Sequence, residues 1–81
     1  GDLYITTFNL KYGIFASDQW SSRILHLDSS LNIQGIYGNS GNRLGQFNRV
    51  GWMDTRNDLL AVADMCNNRI QVFDIKKTLS S

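Results

Sequence analysis

Apolar and polar positions alternate along most of this chain in short runs, interrupted every few residues by Gly, Asn, Asp or Ser. Alternation with period two places apolar side chains on one face of a β-strand, and the interrupting residues are turn formers. The pattern predicts strand A over Tyr4 to Phe8, a turn over Asn9 to Gly13, strand B over Ile14 to Ser17 and a turn over Asp18 to Ser22. Strand C follows over Arg23 to Leu27, then a turn over Asp28 to Asn32 and strand D over Ile33 to Tyr37. Four short strands with short turns make an antiparallel meander. A Gly/Asn-rich connector runs from Gly38 to Phe47. Strands resume at Val50 to Met53, Leu60 to Ala63 and Ile70 to Phe73, with a fourth beginning at Thr78 to Ser81.

The second series repeats the first. An offset of 46 residues superimposes Asp18 on Asp64, Arg23 on Arg69, Ile24 on Ile70 and Asp28 on Asp74, and conservative matches surround these identities. A four-stranded unit recurring every ~40–45 residues predicts an all-β fold built from antiparallel four-stranded meander blades of a β-propeller, packed face to face about an axis. The units fall at residues 1–38 and 50–81, with a connector at 39–49, and the second is cut short in its last strand. A closed propeller uses several more blades, so the chain is expected to be an incomplete piece of about two. The plainer alternative is one small β domain containing two similar hairpins.

Composition narrows the class. Hydrophobic residues make up 42% and charged residues 19% of the 81 positions, which excludes a disordered tail. No apolar run approaches the ~20 residues that span a bilayer, and no charged-then-apolar leader is present. All seven acidic residues are Asp, which with the seven Gly is strand-and-turn chemistry. The one cysteine, Cys66, cannot form an internal disulfide, which favours a reducing, cytoplasmic setting. At a net charge of +1 the chain lacks the field of a strongly basic nucleic-acid binder.

The repeated polar residues have roles that need no ligand. Asp18 and Asp64 sit in the B-to-C turn, where a short carboxylate can accept turn amides, and Arg23 and Arg69 five residues later carry a planar fork that can pair with that carboxylate or cap loop carbonyls. Asn68 belongs to the same turn. Asp28 and Asp74 close strand C and are expected to nucleate the next turn through amides two residues on. His26, the only histidine, and the distant Cys66 form neither a metal-ligand pattern nor a nucleophile pair, and His26 is expected on a strand face as a polar or half-buried residue. The connector glycines lack the Gly-Lys-Ser/Thr of a phosphate loop. Neither a catalytic residue nor a metal or cofactor is implied.

Antiparallel order sorts the loops by side. The D-to-A and B-to-C connections share one side and collect Arg23, Arg43, Arg49 and Arg69 against Asp2, Asp18 and Asp64. With Arg23 and Arg69 committed to their aspartates, Arg43 and Arg49 in the connector are the candidate partner-binding groups, together with Asn42, Met65 and Trp20 in the B-to-C turn. Arginine beside an aromatic suits unpaired bases and phosphate, or an acidic peptide. Trp52 in strand A is expected in the core between blades.

The run Leu60-Ala61-Val62-Ala63-Asp64-Met65-Cys66-Asn67-Asn68-Arg69-Ile70-Gln71-Val72-Phe73-Asp74, preceded by Gly45-Gln46-Phe47-Asn48-Arg49, resembles the NHL repeat. The first copy keeps Asp18, Arg23, Ile24 and Asp28 but has Ser17, Ser21-Ser22 and His26-Leu27 at the other motif positions, and the Pro usual before strand A is absent. The resemblance is greatest to the propellers of tripartite-motif proteins. It implies a non-catalytic module that binds protein or single-stranded RNA, any ligase chemistry lying outside these residues. Two other readings stay open: a fragment of a propeller enzyme similar to peptidyl-hydroxyglycine amidating lyase, and a structural or sensor propeller. Alone, the chain is expected to be marginally stable or to self-associate, since each blade leaves an apolar face uncovered.

Overall fold

The alternating segments form strands because β-branched and aromatic residues favour a pleated, half-buried surface. The computed structural model describes residues 4–18 and 21–80. The first sheet is an antiparallel meander of β1 (Tyr4–Asn9), β2 (Gly13–Asp18), β3 (Ile24–Leu27) and β4 (Ile33–Tyr37), in that spatial order. A parallel pair, β5 (Asn39–Ser40) and β6 (Gln46–Phe47), closes the connector. The second sheet is a meander of β7 (Val50–Arg56), β8 (Leu59–Asp64) and β9 (Arg69–Asp74). The described residues are thus mainly β, with antiparallel sheets and one short α-helix, α1 (Ile75–Ser80).

One face of each sheet packs on the other. Phe15 and Ile24 from the first sheet meet Met53, Leu60 and Val62 from the second, with Phe47, Val50 and Ile75 completing the buried cluster and Ile5, Tyr12, Phe73 and Leu79 packed against it. A mainly apolar pocket of about 310 Å³, partly open to solvent, borders this interior and is lined by residues of both sheets and α1. The opposite faces are uncovered.

Four expectations need correction, and others lie outside the described residues. Thr78–Ser80 do not begin a strand, and Ser81 lies outside the described residues. Ile75–Ser80 are helical because Ile75, 2% exposed, anchors one turn in the core and Leu79 four residues on follows it. Asp74 therefore does not nucleate a strand-to-strand turn. Its carboxylate accepts the Lys77 amide at 3.1 Å, the N-cap geometry of α1. Trp52 is not core but 50% exposed, on the uncovered face of the second sheet. His26 is more buried than expected: it stacks on Phe15 with centroids 4.9 Å apart, and its Nε2 donates to the Tyr12 carbonyl at 2.6 Å. Trp20 and Asp2 lie outside the described residues.

Candidate functional site

The turn between β8 and β9 organises one end of the molecule. Asp64 closes β8 and faces Arg69 across the ladder, so a short carboxylate and a long guanidinium project side by side. Between them Met65–Asn67 make one 3-10 turn, ended by Asn68 in the left-handed region at φ 52°, which Asn tolerates better than most side chains. The Asp64 side chain is fully buried and accepts hydrogen bonds from the Asn48 amide at 2.7 Å, Asn67 Nδ2 at 2.9 Å and Arg69 Nε at 2.8 Å. Burial by itself would raise this carboxyl. The bonds from Asn48, Asn67 and Arg69, with the nearby guanidinium charge, outweigh it and hold Asp64 below the usual carboxylate value.

Arg69 then reaches the connector. Its second donor group bonds the carbonyls of Arg43 at 2.8 Å and Gln46 at 3.0 Å, so it performs both roles open to it. Gln71, next on the same strand face, donates to the Gln46 carbonyl at 2.8 Å and accepts the Gly45 amide at 3.0 Å. Asn67 donates to the Gly41 carbonyl at 2.9 Å, while the Met65 and Cys66 amides bond the carbonyls of Arg49 and Asn48, each at 3.0 Å. Side chains and amides of residues 64–71 therefore hold the main chain of residues 41–49 through eight hydrogen bonds. Gly41 suits this point because its φ of 150° is one that L side chains rarely adopt, and a Cβ there would displace the Gln46 amide group from its bond with the Arg43 amide.

The candidate partner-binding residues sort unequally on this frame. Asn42 and Arg43 are exposed, and so is Leu44 at 89%. Met65 is 60% exposed, its thioether close over Gly51. Arg49 is half-buried, has its backbone at φ 67° and is engaged within the chain. The Arg69 side chain bonds the Arg43 carbonyl and the Met65 amide bonds the Arg49 carbonyl, so both segments meet the same turn, whereas Trp20 falls outside the described residues. The first-sheet counterpart is built differently: buried Ser17 donates to the Arg23 carbonyl at 2.9 Å, and the Ser21 carbonyl accepts the Val50 amide at 3.2 Å, tying this loop to the second sheet. Arg23 is exposed at the rim of a recess with Ser21, Ser22, Gly38, Asn39 and Ser40.

The opposite end joins the two sheets. Asp58 accepts the Tyr12 hydroxyl at 2.7 Å and the Lys11 ammonium at 3.2 Å, and Asn9 donates to the Asn57 carbonyl at 2.8 Å. The Tyr12 bond and then the Lys11 bond hold the Asp58 carboxyl low, and the same contacts raise Tyr12 and Lys11. Asp28 accepts the Ser30 and Asn32 amides, each at 2.9 Å, and the Asn32 amide is the main cause of its lowered value. Among the described residues no three His, Cys, Asp or Glu side chains are grouped to hold a metal, and no helix is long and apolar enough to cross a membrane. Sequence reasoning missed Asn48, Asn67 and Gln71. The Asn67-Asn68 pair and the period-two spacing of Gln71 from Arg69 are the signals that point to two of them. The chain matches no known family model and no curated protein sequence.

Proposed function

We propose that the chain is part of an NHL-type β-propeller and acts as a non-catalytic recognition module in the cytoplasm, binding a protein or single-stranded RNA partner through the connector side. The propeller reading is supported by two antiparallel meanders stacked face to face and by β1 and β7, the first strands of each repeat, lying against one another. The observation that carries the recognition reading is the use of the polar network. Asp64, Arg69 and Gln71 are consumed in holding the connector backbone, while Asn42, Arg43 and Leu44 are held out to solvent on it. A surface ordered before its partner arrives loses less conformational entropy on binding. A guanidinium beside exposed Leu44, with Met65 on the same turn-and-connector frame, offers a charge and an apolar contact together.

The test is Arg43→Ala in this chain, titrated with a single-stranded RNA and with an acidic peptide over a range of salt. For the RNA the expected result is weaker binding and a salt slope reduced by about one. For the peptide it is a loss of several-fold. Unchanged affinity for both probes would remove this side from consideration.

A further inference from the structure

The two sheets are equivalent by repeat yet use opposite faces. The β2–β3 ladder matches the β8–β9 ladder at an offset of 46. The β1–β2 hairpin closes on Asn9 and Gly13, and the β7–β8 hairpin on Arg56 and Leu59, one loop residue shorter, so β1 matches β7 at an offset of 47. Ile5, Phe15 and Ile24, which the first sheet turns into the interior, correspond to Trp52, Ala61 and Ile70 of the second. There Trp52 is 50% and Ile70 65% exposed, with Val72 at 61% on the same face.

The converse also holds. Leu60, Val62 and Phe73, which the second sheet turns inward, correspond to Ile14, Ala16 and Leu27 of the first. Those three lie on a face that also carries Phe8 at 60% and Ile36 at 54% exposure. The stacking within the chain thus joins a front face of one unit to a back face of the next. It leaves one front and one back uncovered, each apolar and each the repeat counterpart of a surface that is already paired.

From this continuity with the internal interface we propose that a second copy of the chain docks head to tail, the Trp52–Ile70–Val72 face of one molecule on the Phe8–Ile36 face of the next. The contact is heterologous: each copy offers both halves, so association continues until a ring closes or a filament grows. The inference is separate from partner binding through the connector, since it uses the sheet faces; it rests on the propeller reading and takes copies of this chain as the neighbouring blades.

Two exposed positions test it without touching the interior. Val72→Lys places a charge on the front face of the second sheet, and Ile36→Lys on the back face of the first. Sedimentation of the unmodified chain is expected to show a mass that rises with concentration beyond twice the 9.2 kDa of one chain. Each variant alone, with its circular dichroism unchanged, is expected to remain at one chain. An equimolar mixture is expected to form a one-to-one heterodimer and nothing larger, because one intact front then meets one intact back. The proposal is overturned if the unmodified chain stays monomeric, its faces being left for other segments or partners. It is equally overturned if either variant alone assembles like the unmodified chain, or if the mixture does not associate.

Discussion

Asp64 shows how one buried carboxylate can fix a distant segment. Its oxygens accept from the Asn48 amide, Asn67 and Arg69, and removing its charge leaves a guanidinium and an amide facing a group that no longer attracts them. Asp64→Asn is expected to cost about 3 kcal/mol, read from the urea midpoint, because the charge is lost and one of two acceptor oxygens becomes an amide donor facing buried donors. The same chemistry sets a pH dependence. The carboxyls of Asp28, Asp58 and Asp64 are all lowered from their ordinary 3.8, so the folded chain holds protons less tightly than the unfolded one. Their stabilisation is complete above that ordinary value and is lost as pH falls through the lower folded values. The urea midpoint is expected to be level from neutral pH down to about 5 and to fall below about 4, more shallowly in Asp64→Asn. A midpoint that rises on acidification would contradict it. Leu31 is a separate case. It is 66% exposed at φ 68°, where an L side chain costs about 1–2 kcal/mol, so Leu31→Gly is expected to raise stability by about 1 kcal/mol in the same measurement.

At the scale of elements, α1 is the piece most dependent on its surroundings. Six residues are too few for a helix to persist alone, so it is held by the Asp74 cap, by the Ile75 amide donating to the Asp58 carbonyl at 2.7 Å, and by burial of Ile75. Asp74→Ala is expected to cost about 1 kcal/mol and to expose the α1 amides to exchange before those of β8. This dependence explains why the helix was not legible in the sequence: Ile75 and Leu79 are a single i, i+4 pair, too short a pattern to outweigh the expectation of a fourth strand. The strands up to Phe73 were legible, because alternation and turn residues are local properties. Trp52 was not, since both faces of the second sheet are apolar and alternation cannot tell which of them is covered. In the candidate site, Asp64 and Arg69 stood out as repeated charges at fixed spacing. Their targets did not, because the carbonyls of Gly41, Arg43 and Gln46 carry no side-chain signature.

For the whole molecule the question is whether the two sheets are one folding unit. The Cα radius of gyration is 11.5 Å, against about 12 Å for a single folded domain of this length, so the sheets are stacked rather than splayed. Neither sheet has a covered face without the other, and a three-stranded sheet with one wet apolar side is at the limit of independent stability. Besides the shared interior, the bonds of Asp58 to Tyr12 and Lys11, of Asn9 to Asn57, and of Val50 to Ser21 cross between them. In a linear array of repeats the interface between neighbours supplies much of the stability of each. Leu60→Ala removes a side chain of the second sheet that belongs to the same buried cluster as Phe15 and Ile24 of the first, at a cost of about 3 kcal/mol. If the interface couples the sheets, amide exchange will show β2 losing as much protection as β8, although the substitution lies only in β8. Loss confined to β7, β8 and β9 would instead mean that the first sheet holds its structure without the second, and that the shared interior adds packing but not cooperativity.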